Sequence, residues 1–228
     1  LIVRHLAHTG QCAVHLIATT DRLAGLDDWA KAVAALSPDI RTVTVGYNTA
    51  RSNVAFAERE RALVGDGHIV ERLHGLEFEV VCNAFLQTNS AQAERLYEGA
   101  LAAARLEGHE TVLDLYCGAG TMTLLFARAA AHAVGVETVP DSIERARRNA
   151  ERNGITNHMA MAGDVRVVLR EHRGQLPEPD VAIVDPPRAG LSGGACRRIL
   201  ELAPRTLVYV SCQPATFADN ARRFVDGG

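Results

Sequence analysis

Residues Val112–Thr121, VLDLYCGAGT, run from an apolar strand pattern through an acidic residue straight into two glycines. The alanine- and leucine-rich stretch from Met122 to Ala131 then reads as a helix. A strand, a Gly-x-Gly turn and a helix N-terminus make a place where a nucleotide-like ligand approaches bare backbone without meeting a Cβ. The dinucleotide fingerprint requires a third glycine three residues after the second, and Thr123 stands there instead. A lone Gly-x-Gly also fits a plain strand-to-helix turn, so residues elsewhere have to decide the ligand.

Outward from this turn, strand and helix alternate. Val112 to Tyr116 is followed by a helix, Ala133 to Glu137 by a helix over Pro140 to Asn153, and Met159 to Ala162 by a short helix; Val181 to Asp185 and Leu207 to Ser211 complete five strands. That rhythm predicts right-handed βαβ units and a parallel sheet with ligands at the strands' C-terminal ends. Upstream, Ile2 to Thr20 reads as two short strands around Thr9-Gly10, Asp27 to Leu36 as a helix stopped by Pro38, and Ile40 to Tyr47 as a strand. Asn48 to Asn53 is a polar loop, and Ile69 to Leu73 and Leu76 to Val81 are strands joined by His74-Gly75. The expected architecture is α/β: a small α+β subdomain over residues 1–82, then a parallel-sheet domain over 83–228. The second domain begins with Asn83 to Asn89, NAFLQTN, and a helix over Ser90 to Leu106. Ser90 or Asn89 caps that helix, and Ala93, Leu96, Tyr97, Ala100, Leu101 and Ala104 form its apolar face.

With 228 residues, 47% of them hydrophobic, the chain can bury a sizeable core. No run of about eighteen apolar residues occurs, and Leu1 to His8 already carries Arg4 and two histidines, so neither a membrane span nor a signal peptide is expected. A cytoplasmic location is the default expectation. Cys12, Cys82, Cys117, Cys196 and Cys212 are scattered without a C-x-x-C pair, which argues against a zinc site or a disulfide framework. A net charge of -3 gives no global attraction to nucleic acid; Arg145, Arg147, Arg148 and Arg152, and Arg222 with Arg223, read as solvated helix faces.

The strand ends carry the polar groups. Glu137 ends the second strand of the series, placed to accept hydrogen bonds from a ribose diol, and Asp164 follows the third, where a carboxylate can meet an adenine amino group. Together with the glycine turn they suit an adenosine ligand without a pyrophosphate, S-adenosylmethionine. Asp185-Pro186-Pro187-Arg188 ends the fourth strand; two prolines cannot continue a sheet, so the aspartate is fixed in a rigid loop at the sheet's edge. Val210-Ser211-Cys212-Gln213-Pro214 ends the fifth, putting Cys212 at the same rim and at a helix N-terminus, where a thiol becomes a better nucleophile. The other four cysteines read as packing residues.

Phe85-Leu86-Gln87-Thr88-Asn89, Asp114-Leu115-Tyr116-Cys117-Gly118-Ala119-Gly120, Asp185-Pro186-Pro187-Arg188-Ala189-Gly190-Leu191 and Ser211-Cys212-Gln213-Pro214-Ala215-Thr216 resemble the successive motifs of the RNA 5-methyluridine methyltransferases, S-adenosylmethionine-dependent enzymes that act on uridine in ribosomal RNA or the transfer RNA T-loop. The likeness spans the chain from about Leu1. It implies a class I (Rossmann-like) methyltransferase sheet in which Gln87, Tyr116, Thr121, Glu137 and Asp164 line the cofactor site, Asp185 sits where cofactor and target base meet, and Cys212 is the nucleophile. It also implies RNA as the partner, with ribosomal RNA preferred on the Gln87-Thr88-Asn89 form, and no metal in this stretch.

Three departures accompany the likeness. Gln213 stands where the family usually has asparagine. The family's proton-abstracting glutamate is expected beyond Gly228, and neither an RNA-binding barrel nor iron-sulfur cysteines are matched, so a fragment cut at both ends is expected. Two rival classes differ in testable ways. An amino-group methyltransferase usually follows Asp-Pro-Pro with an aromatic residue, where Arg188 stands, and a non-catalytic cofactor- or RNA-binding module needs no thiol.

Overall fold

The strand and helix alternation beyond Gly108 builds one five-stranded parallel sheet, seen in a computed structural model that describes residues 1–49, 57 and 59–227. The chain divides into two compact units, Leu1–Ala93 and Glu94–Gly228.

In the first unit, β1 (Ile2–His5), β2 (Cys12–Ala18), β3 (Ile40–Tyr47) and β4 (Arg59–Val64) form a sheet in that order. The β2 to β3 pairing is parallel, and α1 (Leu26–Ala34) makes the crossover. β5 (Ile69–Leu73) and β6 (Leu76–Val80) form an antiparallel hairpin turned at His74-Gly75, both in the left-handed region. The polar loop expected over Asn48 to Asn53 lies, beyond Thr49, outside the described residues. β4 opens with Arg59-Glu60-Arg61, charges of the kind an exposed edge strand carries and that hide a strand in the sequence.

α2 (Ser90–Ala104) starts in the first unit and ends in the second, so the division falls later than the one placed after Cys82. The reason is side-chain anchoring. Arg4 donates to the carbonyls of Cys82 and Ala84, and the Ser90 hydroxyl donates to the buried Glu71 carboxylate, tying the NAFLQTN segment to the first unit. Asn89 is the cap of α2, accepting from the Gln92 amide at 3.1 Å. The buried stripe of α2 is Ala93, Tyr97, Ala100 and Ala104; Leu96, expected on it, is 38% exposed because it sits a half-step off that stripe.

The second unit contains β7 (Thr111–Leu115), α3 (Thr121–Ala127), β8 (His132–Glu137), α4 (Pro140–Arg152), β9 (His158–Ala162), α5 (Val165–Glu171), β10 (Val181–Val184), α6 (Gly193–Leu202), β11 (Thr206–Tyr209) and α7 (Pro214–Gly227). The sheet order is β11-β10-β7-β8-β9, so the chain moves outward through β8 and β9, then returns to the other side of β7. That reversal puts a topological switch point between β7 and β10, where open α/β sheets bind ligands. One face of the sheet is covered by α5 and α6, whose Val165, Val168, Leu169, Ala195, Cys196 and Ile199 pack on Leu113, Leu115, Val134, Val136 and Val184. On the other, Ile143 and Ala146 of α4 pack with Cys117 and Ala160.

Candidate functional site

The turn after β7 is built by three left-handed residues. Tyr116, Gly118 and Gly120 have φ of 71°, 56° and 82°. The two glycines are needed for different reasons. At Gly120 an added Cβ would stand 2.9 Å from the Ala146 Cβ, so this glycine admits α4; at Gly118 a Cβ would meet nothing within 4 Å, so the missing side chain leaves open space. Tyr116 holds the left-handed conformation despite its Cβ, a strain of about 1–3 kcal/mol that the surrounding structure must offset. Both Tyr116 and Cys117 donate their amides to the Val136 carbonyl, and the buried Asn149 donates to the Ala119 carbonyl at 3.0 Å, fixing the turn from below and from α4.

Thr123, in the place of a third glycine, explains itself. It is buried and donates its hydroxyl to Asp114 at 2.6 Å. Asp114 is fully buried, and its second oxygen, Oδ1, has no hydrogen-bond partner among the described residues. Burial pushes its carboxyl up to about 7, with the nearby charges of Asp185 and Glu137 adding to the rise.

Glu137, at the end of β8, accepts the Gly118 amide at 3.1 Å on one oxygen and the Val139 amide at 3.0 Å on the other. Each oxygen keeps a lone pair, so the carboxylate is oriented by backbone and still able to accept from a ligand. Asp164 is differently committed. It caps α5, accepting from the amides of Arg166 and Val167, and is gripped by the Arg166 guanidinium at 3.1 Å and 3.2 Å. These donors, Arg166 first, hold its carboxyl below the usual range. The Tyr116 hydroxyl is pushed up to about 12 by burial, with the Asp164 charge adding to it. Thr121 opens α3, half-buried. Gln87 belongs to the first unit, half-buried in the loop before α2.

Asp185 follows β10, at the switch point, and burial pushes its carboxyl up to about 6. Tyr97 is buried and its hydroxyl is raised, by burial first and then by the charges of Asp185 and Asp114. Cys212 follows β11, one strand over on the same rim, and is exposed, whereas Cys82, Cys117 and Cys196 are buried and Cys12 is half-buried.

What sequence reasoning missed is the fastening between these last two segments. Asn220 of α7, 5% exposed, accepts from the Leu191 amide at 2.7 Å and the Tyr209 hydroxyl at 2.8 Å, and donates to the Leu191 carbonyl at 2.9 Å. Thr216 donates to the Arg188 carbonyl, and a Cβ on Gly190 would fall 2.7 Å from the Asn220 oxygen. The loop after Asp185 is therefore bolted to the helix that follows Cys212. A signal was present: Asn220 lies on the same helical stripe as Phe217 and Phe224, where a polar residue demands a partner.

The model of the family described as tRNA (uracil-5-)-methyltransferase matches residues 14–227. The chain belongs to this family. Among family relatives, it is 36% identical over 228 residues to an uncharacterized RNA methyltransferase of Halalkalibacterium halodurans, covering 100% of this chain and 50% of that protein. An uncharacterized RNA methyltransferase of Caldanaerobacter subterraneus is 35% identical over 230 residues, again 100% and 50%. The chain thus spans about half the length of the curated relatives it matches. Its fold is similar to the crystal structure of Pyrococcus abyssi tRNA (uracil-54, C5)-methyltransferase in complex with S-adenosyl-L-homocysteine, with a TM-score of 0.78 and 29% identity over 97% of this chain and 52% of that one. Trm5b of Pyrococcus abyssi, 13% identical with a TM-score of 0.58, shares the fold.

Among the described residues, no three His, Cys, Asp or Glu side chains come together as a metal would require, and no helix is long and apolar enough to cross a membrane.

Proposed function

We propose that this chain is the methyl-transferring part of an RNA (uracil-C5) methyltransferase that works through a covalent bond between Cys212 and C6 of the target uridine. The observation that carries the reading is the pairing of an exposed cysteine, Cys212, with a half-buried carboxylate, Asp185, at the ends of adjacent strands, β11 and β10, beside the switch point. Support comes from membership of the family and from the methyltransferase fold.

The residues present fit S-adenosylmethionine. The open space at Gly118 admits a ligand to bare backbone, Glu137 offers two oriented acceptor oxygens, and the unpartnered Asp114 oxygen lies beneath the same turn. The cofactor supplies an electrophilic methyl group. Tyr116, Thr121, Glu137 and Asp164 are its proposed contacts in the second unit, with Asp164 offering only what capping α5 leaves free. Asp185 stands between cofactor and base.

C5 of uracil is a poor nucleophile until a thiolate adds to C6. The Cys212 sulfur forms that bond, the C5–C6 π pair moves onto C5 and the adjacent carbonyl, and C5 takes the methyl group. Loss of the C5 proton to a base then returns the electron pair to the ring and expels the thiolate. The target uridine has to leave its stack for Cys212 to reach it.

The substrate is a uridine in structured RNA. Ribosomal RNA follows from the Gln87-Thr88-Asn89 form; the family description and the Pyrococcus abyssi neighbour, both worded for transfer RNA, favour the second reading, a transfer RNA T-loop uridine. A denaturing gel of the protein incubated with S-adenosylmethionine and 5-fluorouridine-substituted ribosomal or transfer RNA tests all of this. A shifted band, lost in Cys212→Ala, is expected with one RNA only. Methylation of an amino group, or a methylated uridine with no dependence on Cys212, would overturn the reading.

A further inference from the structure

The outer faces of α5 and α6 carry a feature that the transfer chemistry does not use. A groove of about 330 Å³ between them is lined by Arg166, Val167 and Arg170 on one side and Gly194, Arg197 and Arg198 on the other. The inner faces of the same two helices are spent on the core, so the arginines point away from it and no acidic residue lines the groove. Arg166 and Gly194 lie in the first turns of their helices, immediately after Asp164 and the loop that follows Asp185, so the groove starts at the rim that carries the candidate site and runs down the outer surface.

Apart from Arg166, which holds Asp164, the charge in this groove is available. Arg197 makes no ion pair or side-chain hydrogen bond among the described residues, nor do Arg222 and Arg223 of α7; the Arg223 guanidinium reaches Gly193, at the head of α6. Arg170 pairs with Glu171, and Arg198 with Glu201, in contacts whose partners are all more than a third exposed. Exposed pairs of this kind contribute at most about 1 kcal/mol, so a phosphate can replace the carboxylate at little cost. Guanidinium forks match phosphate oxygens two at a time.

We infer that the α5–α6 groove is a docking surface for the RNA phosphate backbone, holding the strand that flanks the target uridine. The inference rests on the proposed function, and it answers a difficulty in it. RNA affinity comes largely from phosphate contacts, and a chain of net charge -3 can supply them only from a local concentration of cations. Two arginines on each wall of a concave surface are such a concentration; on α4, by contrast, Arg147 is turned onto the Ala160 carbonyl and Arg145 onto Ser142 of its own helix.

The test reads binding apart from chemistry. The intact protein and its Arg170→Gln/Arg197→Gln/Arg198→Gln variant are titrated with a fluorescently labelled stem-loop RNA carrying a loop uridine, across a range of salt concentrations; Arg166 is left in place because it holds Asp164. Loss of three phosphate contacts makes the slope of log Kd against log salt shallower by about two. A control with two charges removed from α4, Arg148→Gln/Arg152→Gln, keeps the slope of the unaltered protein, and Arg197→Gln alone, which breaks no ion pair, gives a shift of about 0.7. An unchanged slope in the groove variants, or an equal change in the α4 control, overturns the inference. So does an acidic protein partner whose capture is lost in the variants while RNA binding stays the same. Methylation by the unaltered protein is scored separately: its absence alongside a shallower slope counts against the proposed function and leaves the groove standing.

Discussion

Cys212 differs from the other four cysteines in a way that chemistry can read. Burial raises the thiols of Cys12, Cys82, Cys117 and Cys196 above their ordinary value, while Cys212 is the exposed one. Iodoacetamide at neutral pH is expected to label Cys212 first. Peptide mapping that finds Cys12 labelled as fast in the native chain would remove the physical basis for the nucleophile. Glu137 carries a second residue-scale prediction. Its carboxylate is already oriented by the amides of Gly118 and Val139, so a ligand hydroxyl meets a prepared acceptor. Glu137→Ala is expected to weaken S-adenosylmethionine binding by about 1.5–3 kcal/mol, the range for a hydrogen bond to a charged group. Calorimetry giving the same affinity in a folded Glu137→Ala chain would take this residue out of the site.

At the scale of elements, the loop after β10 and the head of α7 behave as one piece because Asn220 and Thr216 join them. Asn220→Ala leaves the Leu191 amide and carbonyl and the Tyr209 hydroxyl without their partner, at about 1–3 kcal/mol for each buried group that finds no other. The cofactor contacts proposed in the second unit lie on the β7, β8 and β9 side, so cofactor affinity should hold while the rate of methyl transfer in a single turnover falls. An unchanged rate in a destabilised variant would mean that the clamp serves folding alone. Elements of this unit were legible in the sequence where physics is local. The inner parallel strands, β7, β8 and β10, are buried on both faces and read as apolar runs, and glycine or proline follows each of them. The exposed β4 edge strand carries arginine and glutamate, which hide a strand, and the offset of Leu96 depends on what α2 packs against. Of the candidate residues, those at strand ends could be named because topology places them together. The partners of Asn149 and Asn220 could not, since their hydrogen bonds go to backbone far away in sequence.

For the whole molecule, the cost of this site shows in how stability depends on pH. Asp114, held near 7, and Asp185, held near 6, both have carboxyls raised above the ordinary range by burial. Between about pH 4 and pH 7 the folded chain keeps protons there that the unfolded chain gives up, so their contribution is complete at low pH and lost as the pH rises through the folded values. His15 and His158, lowered chiefly by burial, act in the opposite sense: the unfolded chain takes up protons first as the pH falls, which weakens the fold on the acid side. The total curve therefore mixes both signs, and the informative quantity is the difference made by one substitution. Asp114→Asn keeps an oxygen to accept from Thr123 and removes the titrating proton. Relative to the unaltered chain, it should gain stability on going from pH 5 to pH 8, by an amount on the order of a few kcal/mol at about 1.4 kcal/mol per unit of pKa shift. Urea unfolding at both pH values measures it. Parallel curves for the two chains would show that Asp114 is ionised in the fold at pH 5, and that the buried carboxylate finds a partner the unaided chain does not provide.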